Sequence, residues 1–135
     1  MEDINIDHDL AERIKDDPFP RHLGIEIIKL SPGYAKVSLQ VQDYMTNILH
    51  ITHGGVIFTL ADVALGIASN ARGQASVAMS VTINFIKASK PDTVLYATAE
   101  EISCGRRTSN YRITIEDDKG KLIALAQGLV FQESM

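Results

Sequence analysis

Cysteine is almost missing from this 135-residue chain. Cys104 stands alone, so an intrachain disulfide is excluded and the composition suits a reducing compartment. Proline is scarce, and none falls between Pro32 and Pro91, which leaves the middle of the chain free for long regular elements. The longest apolar run is shorter than the roughly 20 residues a membrane span requires, and it carries a charge at its middle. No basic stretch followed by an apolar one opens the chain, which predicts a protein that is not exported and works in the cytoplasm. There is no Walker loop, dinucleotide glycine fingerprint, G-x-S-x-G elbow or Cys-x-x-Cys pair. A strong positive balance is missing too, and the net charge of −4 gives no reason to propose nucleic acid. That charge is uneven: residues 1–17 carry seven acids against Arg13 and Lys15, so the rest is close to neutral and can offer local positive charge to an anion.

What is present is one long helical signal. Gly54 to Asn70 reads GGVIFTLADVALGIASN, rich in Ala and Leu, with His53 and the glycines marking its start and Asn70 and Gly73 its end. Apolar residues nearly all round it predict a helix buried on most sides. The exceptions, Thr59, Asp62, Gly66 and Ser69, recur at three and four residues and so line one narrow stripe.

The flanking sequence predicts strands. Residues 7–17 suit a short amphipathic helix with Leu10 and Ile14 on one face, and Phe19 to His22 a linker. Leu23–Leu30 and Tyr34–Val41 read as a hairpin around Ser31-Pro32-Gly33. Asp43–Thr52 has no period and reads as a loop. Ser76–Ser89, Thr93–Ser103, Thr108–Glu116 and Lys121–Gln132 read as four long strands, with Val77, Met79, Val81, Ile83 and Phe85 sharing one face of the first. Short connections imply antiparallel neighbours throughout. The expected architecture is α+β, one domain over residues 1–135, with about six strands curved around a central helix.

Few residues carry chemistry. His50 and His53 lie three apart, but no second cluster accompanies them as a metal site needs. Cys104 lies in a predicted strand bend without a base partner and reads as a small half-buried residue. Asp62 is different. A carboxylate on a buried helix with no Lys or Arg to pair with is costly, and such groups concentrate at functional sites; the plain alternative is a helix-edge acid satisfied by a nearby hydroxyl. Gly54 and Gly55 open the helix, where unpaired N–H groups and the positive end of the dipole can hold an oxyanion, or where they simply allow a tight turn. Gly54 and Asp62 are eight residues apart, about 12 Å at the helical rise. They cannot reach one carbon from the same helix. If both serve one substrate, the second helix comes from another copy about a two-fold axis.

Asn47, His53-Gly54-Gly55 and Phe58-Thr59-Leu60-Ala61-Asp62 together resemble the hotdog-fold thioesterases of the phenylacetic-acid-degradation (PaaI-like) group, over about Leu23 to Phe131. The resemblance implies hydrolysis of an acyl-CoA thioester between two subunits of a homodimer, paired further into a tetramer, with coenzyme A as part of the substrate and no other cofactor and no metal. It implies that the Gly54 N–H polarises the carbonyl and that Asp62 of the other subunit acts as nucleophile or general base. Asn47 would hold the reacting group or water, His53 would lie beside the carbonyl, and Ser80 matches a hydroxyl that assists the attacking water in some relatives. Lys87, Lys90, Arg106 and Arg107 sit around two predicted strand ends and suit the phosphates of coenzyme A, Arg106 and Arg107 foremost, or they merely solvate those ends. Phe58, Met79, Ile57 and Tyr44 are candidates for an acyl pocket. The rival readings are a non-catalytic acyl-CoA-binding or sensing module and an acyl-thioester hydratase or dehydratase. The acidic, short N-terminal segment disfavours the first, and a helix start without proline disfavours the second.

Overall fold

Alternation of apolar and polar residues builds six strands: β1 (Glu26–Ser31), β2 (Tyr34–Gln40), β3 (Ser76–Phe85), β4 (Val94–Cys104), β5 (Thr108–Asp117) and β6 (Leu122–Gln132). They form one antiparallel sheet in the order β1-β2-β4-β5-β6-β3. The structure, a computed structural model, describes residues 8–133. The central helix α3 is preceded by two short helices: α1 spans His8–Asp16, α2 Pro18–Leu23 and α3 Gly54–Asn70. Contacts from α3 reach all six strands, so the sheet wraps the helix as expected. No helix among the described residues is long and apolar enough to cross a membrane.

The sheet face toward α3 is lined with small residues. Ala97, Ala99 and Ala124 are fully buried there, and Leu60, Ala61, Ala64, Leu65 and Ala68 of the helix are fully buried against them. Burying each leucine contributes about 1.5–3 kcal/mol. Gly128 of β6 marks the closest approach, since a Cβ on it would sit 2.6 Å from Leu65 Cδ2. At the C-terminal end of the helix Arg72 holds Glu101 of β4 with two hydrogen bonds, and the Tyr111 hydroxyl adds a third at 3.3 Å. These contacts keep the Glu101 carboxyl below its ordinary range, the Arg72 bond being the main cause.

The structure corrects several expectations. Phe19–His22 is not a linker but part of α2: Pro18 presets the helical φ at its first turn, and Gly24, at φ 84°, ends it. The first strand therefore begins at Glu26 rather than Leu23. β3 stops at Phe85, and a register shift between Ala78 and Ser80 breaks its alternation. Val77 consequently pairs with exposed Phe131 on the outer face, while Ala78 pairs with buried Val130 on the inner one. Nor are β3 and β4 neighbours, despite their short connection. The link turns under the start of α3, where Ser89 bonds Thr52 through backbone and side chain, and delivers β4 beside β2. β3 is left at an edge of the sheet, paired on one side only.

A candidate active site on the open face of the central helix

The sheet covers most of α3, and the stripe expected from sequence is its one open face. Asp62 and Phe58 are exposed, and Thr59, Val63 and Gly66 are partly so. Ser69 leaves the stripe: it is buried, and its hydroxyl bonds the Ser76 hydroxyl at 2.6 Å. Nothing among the described residues hydrogen-bonds or pairs with the Asp62 carboxylate. Flanking protein still strips it of enough water to push its pKa above the ordinary value of 3.8. The costly buried acid inferred from sequence is thus a half-desolvated one on an uncovered surface.

The start of the helix is built around a single free donor. His53 is the N-cap, and its Nδ1 accepts the Gly55 N–H at 3.1 Å. The Val56 and Ile57 N–H groups both donate to the His53 carbonyl, at 3.0 and 3.2 Å. Gly54 is left as the one first-turn amide without a partner among the described residues. His53 itself is anchored through its N–H to the carbonyl of buried Met45 at 2.8 Å. The ring of Phe85, at the end of β3, lies beside Gly54: a Cβ added there would be 3.4 Å from its Cζ. In the sequence Phe85 is only one residue of a strand face; the crossing of β3 behind the helix start brings it to the site.

Asn47 shapes the loop that leads into the helix. Its Oδ1 accepts the N–H groups of Leu49 and Ile51, at 2.8 and 3.4 Å, closing a tight loop in which His50 takes a left-handed φ of 60°. The side-chain oxygen is committed, so only the Nδ2 group can serve a ligand. His50 and His53 gather no third ligating side chain, and no cluster of three or more His, Cys, Asp or Glu suited to a metal occurs among the described residues.

Other candidates are scattered. Ser80 pairs with Leu129 on the sheet face turned away from α3, where it lines a groove with Thr82 and Arg112. Lys87 and Lys90 lie on the link beneath the start of α3, and Arg106 and Arg107 at the β4–β5 turn, the opposite end of β4. The four basic residues form no single cluster within one protomer; β4, running the length of the sheet, separates the two pairs. Of the suggested acyl-pocket residues, Ile57 is buried in the core, while Tyr44 and Met79 are well exposed. The hollow that does adjoin Asp62 is a groove of about 400 Å³ between α3 and the α1–α2 segment. Leu10 and Ile14 on the face of the N-terminal helix were the sequence signal for it.

Comparison with known proteins places this arrangement. Residues 49–124 match the family model described as the thioesterase superfamily. The acyl-coenzyme A thioesterase PaaI of Escherichia coli is 37% identical over 114 residues, covering 84% of this chain and 81% of the relative. The structure of the E. coli PaaI protein from the phenylacetic acid degradation operon superposes with a TM-score of 0.88 at 34% identity, over 92% of this chain and 90% of that one. A thioesterase protein of Streptococcus pneumoniae, solved with coenzyme A, superposes with a TM-score of 0.79 at 30% identity, over 82% of this chain and 87% of that one.

Proposed function

The chain belongs to the thioesterase superfamily, with the hotdog fold and the thioester-hydrolase chemistry of that family, and we propose that its substrates are acyl-coenzyme A thioesters, cleaved at sites shared between two subunits. The observation that carries this reading is the presence on one helix of two groups unmatched among the described residues: a first-turn N–H with no acceptor at Gly54 and a carboxylate with no donor at Asp62. Their separation of about 12 Å along the axis requires a second copy to bring them together.

The edge of the sheet supports that second copy. β3 runs ten residues, SVAMSVTINF, with neither charge nor proline, and Val77, Met79 and Phe85 are exposed along it. Long uncharged edge strands are open templates for pairing with another strand. An antiparallel partner set about an axis near Phe58 puts each Asp62 opposite the other copy's Gly54. The C-terminal end of the partner helix then extends past Gly54 and carries its β4–β5 turn toward the end that holds Lys87 and Lys90. Both basic pairs can thereby flank one bound nucleotide, although they are far apart within one protomer. Association of two such dimers is the further step that the family resemblance implies.

In the reaction, the thioester oxygen accepts the Gly54 N–H, helped by the positive end of α3. Asn47 Nδ2 donates to the reacting group or to water. Asp62 of the second subunit either takes a proton from water as it attacks the carbonyl carbon, or attacks that carbon itself to form an anhydride that water then opens. In either route the C–S bond breaks, coenzyme A leaves as the thiol and the acid is released. His53 acts indirectly, as the cap that keeps the Gly55 amide occupied and the first turn in place. Ser80 lies on the face of β3 turned away from its own α3, and the water-assisting role for its hydroxyl rests on the resemblance alone.

A thiol reagent reads the reaction directly. Free thiol released from acyl-CoA by the purified chain supports this reading, as does a dimer or larger species in sedimentation. A monodisperse and fully active monomer would sink the shared site.

A further inference from the structure

Gly66 has no local reason to be glycine. A helix interior favours alanine over glycine, yet a Cβ at Gly66 would meet nothing within 4 Å. Gly128, by contrast, is required by Leu65, and Gly54 lies at contact distance from Phe85. The vacancy above Gly66 is part of the groove of about 400 Å³ that begins at Asp62 and follows α3 toward Asn70. Val63, Gly66 and Ile67 form its floor, and Ile14, Phe19 and Pro20 of the N-terminal helices form its wall. That volume lies within the usual range of small-molecule pockets, about 300–1,000 Å³.

We infer that this groove holds the acyl group of the thioester, with α1 and α2 as the specificity wall and Gly66 as the residue that keeps the floor open. The inference rests on the hydrolytic role of Asp62 proposed above, because the groove begins at that carboxylate. Its lining selects the acyl class. The walls are largely apolar; among the described residues Asp17 and Asp62 are the acids that line the groove, and Arg13, the one basic residue there, is ion-paired with Asp9 at 2.9 Å. Neutral aliphatic or aryl acyl groups fit, whereas an acyl group ending in a second carboxylate meets the two like charges of Asp17 and Asp62, with Arg13, shared with Asp9, the one cation among the described lining residues. α1 is short and leaves part of its surface open, so the wall can exclude water without enclosing the ligand.

Two assays separate this inference from the hydrolysis it rests on. The first compares kcat/KM for acetyl-, hexanoyl- and succinyl-CoA in the native chain, Gly66→Leu and Phe19→Ala. A Cβ at position 66 meets nothing within 4 Å, so a leucine side chain there starts in the open groove; it is expected to lower hexanoyl-CoA hydrolysis about tenfold more than acetyl-CoA hydrolysis. Phe19→Ala, at an exposed position, is expected to shift the same ratio in the same direction by a smaller factor, and succinyl-CoA to be a poorer substrate than hexanoyl-CoA. The second measures binding of ethyl- and hexyl-coenzyme A thioethers, which cannot be hydrolysed, by calorimetry. Gly66→Leu is expected to weaken the hexyl ligand about tenfold and the ethyl ligand little, while Asp62→Asn keeps hexyl binding. Equal effects of Gly66→Leu and of Phe19→Ala on short and long chains in both assays would overturn the groove even if hydrolysis is robust. Gly66-dependent hexyl binding by a chain that hydrolyses nothing would uphold the groove and remove the proposed reaction.

Discussion

Asp62 draws its interest from what surrounds it rather than from depth. It is solvent-reachable, without a partner among the described residues, and desolvated enough for its pKa to rise. Replacing it by Asn preserves shape, so the fold is expected to persist while turnover falls by about 10² or more, read as thiol release beside an unchanged melting curve. The pH dependence has a defined sign. The carboxylate is the working form, so activity should rise with pH along an acid limb whose inflection lies above the ordinary value of 3.8. A limb at or below that value would mean that the working acid is not desolvated. Gly54 permits a sharper test than most glycines. It is the first helical residue, its N–H is unpaired among the described residues, and the preceding His53 has φ −62° and ψ 135°, the extended conformation a following proline requires. Gly54→Pro should therefore remove the donor while sparing the helix. We expect a loss of about 10²–10³ in kcat, the range for a deleted oxyanion donor, with helicity retained by circular dichroism. Near-normal kcat in that variant would assign the oxyanion to another group.

At the level of elements, sheet and helix meet through small residues, and the tolerances differ along the contact. Gly128→Ala places a methyl against Leu65 and should destabilise by about 1–3 kcal/mol in urea unfolding. Gly66→Ala meets open space and should stabilise by about 0.5–1 kcal/mol. The Arg72–Glu101 pair fixes the far end of α3. Because the Glu101 pKa is lowered in the fold, its contribution is present above the ordinary carboxylate value of 4.5 and disappears as pH falls through the lower folded value. Glu101→Gln should cost about 1–2 kcal/mol at pH 7, discounted for partial exposure, and little at low pH. These elements also mark where the sequence was readable. The bounds of α3 and the existence of all six strands follow from periodicity and turn residues, because a buried face imposes its spacing on the chain. The bulge at Met79, the crossing of β3 to the far edge and the helix over Pro18–Leu23 do not, because pairing partners and a proline at a helix start leave no periodic trace. The site divides in the same way. Gly54 and Asp62 were legible as a glycine and a charge in an apolar stretch, and Asn47 through the family resemblance alone, whereas Phe85 and the groove wall of Ile14 and Phe19 depend on which elements pack together.

At the scale of the whole molecule, association completes the proposed site. One protomer leaves an uncharged edge strand unpaired, and Ile48 and Leu49 project at 97% and 71% exposure from the loop before α3. It also leaves a carboxylate and an amide that cannot meet. A symmetric pair offers one answer to all of these features: the β3 edges can join, the two α3 helices run antiparallel, and two equivalent sites form. Complementation between two inactive variants tests this most directly. Asp62→Asn and Gly54→Pro chains, each close to inactive alone, are co-expressed with different affinity tags and the mixed dimer is isolated. In a shared site the mixed dimer has one intact centre, with Gly54 from the first chain and Asp62 from the second, and one centre that lacks both. The account predicts thiol release from the mixed dimer at about half the native rate per dimer. A mixed dimer as inactive as its parents would contradict it.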